Sequence, residues 1–414
     1  MRILFTFICV LALGVMGCSE TAGTGGSGGD GPRDPGTGEW ELVPRERVAE
    51  ECGLDPVLLE AADEDFGFAW GVVRYGKLCH EYKPGGEDRV EEVNAVTKTL
   101  GAVVTGMVAY QTKDFERSGR KTGPLSDEDR IDHWLDSFDF NPEAQVAHVL
   151  AMVATNEDLS FGSKDFIYDV LGGDQINRLA DVATVAIAQD PTNLGEDLEV
   201  FVQRFLFGPL GMRNSSWNGG APQKTIGVGW KGTARDMARL GLLILNGGVW
   251  NGERLLGEEW TQKMTHPAFE DASTGYGYLT WLHSNSNHVG SLSTDRRQGP
   301  SAECTPVAIW PEYPHGLSES PDCNYEAPWT CDQEYDVGAW FAGGLNGNCI
   351  VGHPGLDLVL VSHTAPQIPG SSCVAALWPV MRSALIAPDP VFAGDDEAFC
   401  EAYAANRYAP DLLE

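Results

Sequence analysis

Between Val90 and Tyr110, apolar residues fall at Val96, Leu100, Val103, Val104, Met107 and Val108. That spacing predicts a helix buried around most of its circumference. One lysine, Lys98, interrupts the buried pattern, and lysine is rarely enclosed unless its charge or its amine is used. Upstream, LDPVLLEAAD (54–63) predicts a short helix. FAWGVVRYGKLCHEY (68–82) predicts two strands around a tight turn at Tyr75-Gly76-Lys77.

Residues 111–265 read as mostly helical, through AQVAHVLAMVA, QINRLADVATVAIA, DLEVFVQRFLFGPLGM and TARDMARLGLLILNGG. The last of these opens on Thr233 with Asp236 three residues on, close to a capping box, and stops at Gly247-Gly248. Strand patterns return in YGYLTWL, AWFAGG, NCIVGH and LDLVLVSH, and a final helix is expected around CVAALWPVMRSALI. Strands at both ends with helices between predict an α/β (α+β) protein: one sheet assembled from distant segments, with a helical subdomain at about 111–265 inserted. Residues 284–337 are rich in Pro, Ser, Asp and Cys without periodicity, and read as a long loop insertion pinned by disulfides. The domain is expected over 40–390, with a tail at 391–414.

The N-terminus sets the compartment. Arg2 precedes an apolar run, ILFTFICVLALGVM, shorter than the roughly 20 residues that a membrane span needs. It ends in VMGC, which resembles a bacterial lipoprotein signal: residues 1–17 removed and lipid attached to Cys18. The alternative is an ordinary secretory signal in which the cysteine is incidental. Residues 18–39, beginning SETAGTGGSGGDGPRDPGTG after the cysteine, read as a Gly/Ser/Pro tether that would hold the domain roughly 25 Å from its anchor. Eight further cysteines, Cys52, Cys79, Cys304, Cys323, Cys331, Cys349, Cys373 and Cys400, read in an exported chain as up to four disulfides of undetermined connectivity. No CxxC pair or histidine cluster is present, so no metal site is expected, and no cofactor motif is found. The 28 basic against 60 acidic residues give a net charge of −32. A field of that sign repels nucleic acid and anionic lipid, which excludes nucleic acid as a partner and leaves membrane contact to the lipid anchor.

Lys98 can now be placed. A helix opening after a strand hairpin, with S-x-x-K in its first turn, marks the penicillin-recognising serine hydrolases. GLDPVLLEAA, GVVRYGKLCHEY and NAVTKTLGAVVTG are similar to the entry segment of the branch that holds class C β-lactamases, esterases and aminohexanoate hydrolases. FGPLGM (207–212), GWKGTARDMARLGLLILNGGVWNGERLLGEEW (229–260) and YGYLTW (276–281) resemble later landmarks of that branch. The resemblance runs over about residues 50–387. It implies a β-lactamase and transpeptidase-like fold, an antiparallel sheet flanked by helices beside an all-helical subdomain, with the site between them and a small-molecule or peptide-like ligand. In such a site serine attacks, a desolvated lysine takes its proton, a tyrosine assists, and two backbone N–H groups hold the oxyanion.

In this chain Ala95 stands where the resemblance implies the serine, three residues before Lys98. Thr97 lies on another face of the helix and Thr99 one turn deeper. Tyr168 in KDFIYDVLGGDQINRLADV corresponds to the family tyrosine, with Val170 in the slot of its asparagine. Ala342-Gly343-Gly344 corresponds to the third motif. There the glycines would admit a substrate backbone and Leu345 would supply the second oxyanion N–H, or the glycines simply belong to a strand or turn. His353, His363 and Cys349 read as structural, the last as half of a disulfide. Two classes stay open. One is a catalytically impaired relative that binds an ester, amide or peptide-like ligand or simply acts as a surface scaffold. The other is an active hydrolase that uses a substitute nucleophile or a water activated by Lys98 and Tyr168.

Overall fold

The computed structural model describes residues 33–155, 166–217, 224–269, 275–283, 339–366, 368 and 373–386. The signal at 1–17, most of the tether, the insertion at 284–337 and the tail at 391–414 lie outside the described residues, as do Cys18, Cys304, Cys323, Cys331 and Cys400.

The expected hairpin forms first, as β1 (Ala69–Arg74) and β2 (Lys77–Tyr82). Its turn residues Tyr75 and Gly76 both adopt positive φ, the conformation that matches the twist of a two-residue hairpin. Five short strands follow: β3 (Glu91–Glu92), β4 (Ser216–Trp217), β5 (Trp230–Gly232), β6 (Val249–Trp250) and β7 (Glu253–Arg254). β4 to β7 interrupt the stretch expected to be mostly helical. They escape the reading because two or three residues cannot establish an alternation. The last four are β8 (Trp281–His283), β9 (Ala339–Gly344), β10 (Asn348–His353) and β11 (Leu358–His363). The main sheet runs β2-β1-β11-β10-β9-β8, with every adjacent pair antiparallel. Segments nearly three hundred residues apart are thus joined as neighbours, β1 on β11.

Five longer helices position the rest: α1 (Pro56–Phe66), α2 (Thr97–Thr112), α3 (Arg178–Ile187), α4 (Ala234–Leu245) and α5 (Cys373–Ala384). α4 begins with the expected capping box, in which Thr233 and Asp236 each bond the other's backbone N–H. It lies on one face of the sheet at Gly241, where a Cβ would come within 2.7 Å of Ile350 and Val359. Residues of opposite parity on β10 face α5: Cys349 is joined to Cys373, and the His353 ring stacks on Trp378 at 5.1 Å. A second disulfide joins Cys52 to Cys79. Closing loops of 27 and 24 residues, the two crosslinks contribute about 3–4 kcal/mol each by chain-entropy reckoning. Two disulfides are consistent with an exported protein. No helix among the described residues is long and apolar enough to cross a membrane.

From Arg33 onward, residues assigned to the tether lie against the domain. Arg33 pairs with Asp357 at 2.6 Å, and Trp250 and Arg239 donate to the Gly36 carbonyl. Trp40 is buried beneath the Arg239 guanidinium and donates to the Gly76 carbonyl at 3.3 Å. This strap is anchored by buried arginine and tryptophan donors reaching main-chain carbonyls, a pattern that a low-complexity tether sequence does not announce.

Candidate functional site

Ala95 sits in a 3-10 turn, Asn94–Val96, that leads directly into α2. Asn94 adopts φ 54°, a conformation that asparagine tolerates better than most residues. Its Nδ2 donates to the Leu345 carbonyl at 3.0 Å, and Asn348 Nδ2 donates to the same oxygen at 2.9 Å. The β9–β10 turn is thereby tied to the start of the helix. Gly344 makes the approach possible, since a Cβ there would fall 2.4 Å from the Val93 carbonyl and 3.1 Å from the Ala95 nitrogen. The backbone that Gly344 admits is therefore the protein's own, while Gly343 pairs with Cys349 in the ladder. Ala95 is half-buried in the first turn, where backbone N–H groups have no intrahelical acceptor. Leu345, across the tie, is exposed.

Lys98 lies one turn further along and is 2% exposed. Its Nζ donates to the Val170 carbonyl at 2.8 Å and to the Gly227 carbonyl at 3.4 Å, and stands 4.8 Å from the centroid of the Tyr168 ring. A neutral amine has two N–H donors and one lone pair, so two carbonyl acceptors satisfy that form and leave the lone pair unspent. Burial brings the amine down from 10.5 to about 8, with Asp169 opposing the change. Lys98 is therefore a base available near neutral pH.

Tyr168 precedes α3 in an irregular segment and does not open a helix. Its ring stacks on Trp281 at 5.1 Å, and Trp281 stacks on Phe341 of β9 at 6.2 Å. An aromatic column thus runs from the sheet to the lysine. Burial pushes the Tyr168 phenol up, opposite in direction to Lys98. Where two neighbours are driven apart in this way, the one pushed down is the base and the one pushed up keeps its proton. Asp169, which the sequence reading passed over, is buried and fully engaged. It accepts from the N–H groups of Gly172 (2.7 Å), Gln175 (2.8 Å) and Ile176 (3.1 Å). It fixes the turn that delivers the Val170 carbonyl to Lys98; an aspartate shortly before Gly-Gly is the available signal for such a turn.

The neighbouring hydroxyls are committed to the fold. Thr97 Oγ1 donates to the Asn94 carbonyl at 2.6 Å and accepts from Trp230 N–H, and Thr99 Oγ1 donates to the Leu279 carbonyl at 2.9 Å. His353 and His363 are buried in sheet positions, and burial brings them down to about 3 and about 4, so both stay neutral. Among the described residues, no group of three or more His, Cys, Asp or Glu could hold a metal ion.

No family model and no curated protein matches the chain. Among solved structures it is similar to a family VIII carboxylesterase (12% identity, 87% of this chain and 99% of that one, TM-score 0.48). It is also similar to a penicillin-binding protein from Bacillus halodurans (13%, 78% and 99%, TM-score 0.47). A third is a β-lactamase from Mycobacterium bovis (14%, 78% and 99%, TM-score 0.46). These are the kinds of protein that the sequence blocks resemble. Likeness of this size carries no conclusion about activity or substrate.

The lysine makes one solution property predictable. Below about pH 8 both folded and unfolded chains carry its proton, and the folded chain bears the cost of an enclosed charge. Between about 8 and 10.5 the unfolded chain binds more protons, so stability rises with pH in that window. Urea unfolding of wild type and Lys98→Met across pH 7 to 10 should show the wild type gaining on the variant, by up to on the order of 3 kcal/mol. Parallel pH profiles would mean that the amine is not desolvated.

Proposed function

We propose that this chain is an envelope lipoprotein of the β-lactamase and esterase type whose site binds an ester, amide or peptide-like carbonyl ligand without efficient turnover. The observation that carries the reading is Ala95 one turn before a buried lysine whose amine is poised as a base. Loss of a serine nucleophile costs about a million-fold in turnover, while an oxyanion hole and pocket retain about a thousand-fold over water. A ligand carbonyl would rest on the Ala95 and Leu345 N–H groups, with Lys98 beneath it and Gly343 and Gly344 in the adjoining strand. Substitute nucleophiles on the helix are disfavoured, since the Thr97 and Thr99 hydroxyl protons are donated to carbonyls. A water activated by Tyr168 is disfavoured by the raised phenol, which leaves Lys98 as the base for any residual hydrolysis.

Restoring the hydroxyl tests the reading. Ala95→Ser costs little at a helix start, where serine is well accepted. The variant should gain acyl-enzyme formation and slow turnover with p-nitrophenyl butyrate, both lost in Ala95→Ser/Lys98→Ala. Wild type should show neither an adduct at residue 95 nor turnover. Equal turnover in wild type would reveal another nucleophile, and a folded but inert Ala95→Ser would defeat the carbonyl-site reading. Anchoring through Cys18 is checked separately: Cys18→Ser should move the protein from the membrane to the soluble fraction, and unchanged fractionation would count against lipidation.

A further inference from the structure

With no hydroxyl at residue 95, the strongest nucleophile among the described residues of the site is the Lys98 amine itself. Its contacts in hydrogen-bond reach are two neutral carbonyls, Val170 at 2.8 Å and Gly227 at 3.4 Å, with an aromatic ring beside them. The Asp169 carboxylate nearby is engaged by three backbone N–H groups. Val170, whose carbonyl the amine touches, is 45% exposed. Aliphatic side chains are exposed on the segments that meet the start of the helix. Ile167, Val170 and Leu171 stand exposed on the segment that carries Tyr168, and exposed Leu345 is tied to Asn94 on the other side. Large aliphatic side chains left in water on two segments that flank one buried amine mark a surface shaped for an apolar ligand.

We propose that Lys98 is a covalent capture site for apolar aldehydes, condensing with them to an imine beneath the rim formed by Ile167, Val170, Leu171 and Leu345. The lone pair attacks the carbonyl carbon and a C–N bond forms as the C=O pair moves onto oxygen. The two N–H protons, released from the Val170 and Gly227 carbonyls, end on that oxygen. It departs as water and C=N remains, so no oxidant or reductant is needed. A lysine enclosed in apolar surroundings, held neutral near physiological pH, is the form that performs this chemistry. The methyl of Ala95 contributes by leaving the amine without a competing hydroxyl. The inference rests on the reading above only in requiring that Lys98 open toward residue 95.

The test uses the mature full-length protein, incubated with hexanal at pH 6 to 10, reduced with cyanoborohydride and mapped by peptide mass spectrometry. Lys98 should be alkylated roughly ten-fold or more faster at pH 8 than the exposed Lys113 and Lys231. Its rate should level off above about pH 8. Leu171→Asp should reduce capture of hexanal at Lys98 relative to capture of glycolaldehyde, with the surface lysines unchanged. Alkylation of Lys98 no faster than of the surface lysines, in protein with a native circular dichroism spectrum, overturns the proposal. Unaltered aldehyde preference in Leu171→Asp overturns the role of the rim. The two readings fail separately: ester turnover by Ala95→Ser without hexanal capture removes only capture, and capture without turnover removes only the hydrolase-type site.

Discussion

The burial of one amine is the constraint on which the site depends. Lys98 is enclosed in a helix whose other residues form core, and an ammonium there would lose its hydration. Three features offset that cost. The Val170 and Gly227 carbonyls take its hydrogens, the Tyr168 ring lies beside it, and the Asp169 carboxylate sits near enough to restrain the drop in its proton affinity. Tyr168, Asp169 and Val170 come from one segment and Gly227 from another, and each segment has its own brace. Asp169 organises the 169–176 turn, Asn177 Oδ1 accepts from Ile226 and Gly227 N–H, and Trp281 backs Tyr168. Removing the lysine would leave those carbonyls without a donor, so the surroundings are arranged for an amine and not merely tolerant of one.

How far this was legible follows from the range of each signal. The β1–β2 hairpin, β9, β10, β11 and the capped start of α4 are stated locally, in strand alternation, Gly turns and a Thr-Asp box. All five appear where the pattern places them. Lys98 stood out because it breaks a buried stripe, and Tyr168 lies against it. The tie between Asn94, Leu345 and Asn348 could not be read, since it links positions more than 250 residues apart through side-chain amides. Gly344 announced a close approach without saying to what, and its neighbour proved to be the turn that holds Ala95. The strap at 33–40 was hidden for the opposite reason: its partners, Arg239, Trp250 and Gly76, are themselves ordinary core and turn residues.

The strap also relates the site to the proposed anchor. Arg33 docks on Asp357, just before β11, whereas the Leu345 turn and Thr364 lie beyond its other end, bonded through Asn348. A six-residue strand separates the two ends by about 17–20 Å, so the chain enters the domain at the pole away from Lys98. With a net charge of −32 over the chain, a neutral apolar ligand would meet less repulsion on the way to the site than an anionic one.

The central claim, that a buried amine without its hydroxyl partner is held near neutrality, is most directly tested by titrating Lys98. Proteins carrying 13C-lysine can be followed by the Cε and Hε resonances across pH 6 to 11, with Lys98 assigned by its absence in Lys98→Arg. The account predicts one lysine with a midpoint near 8, well separated from the rest. A Lys98 midpoint at the ordinary value of about 10.4 would show a solvated ammonium and contradict the account.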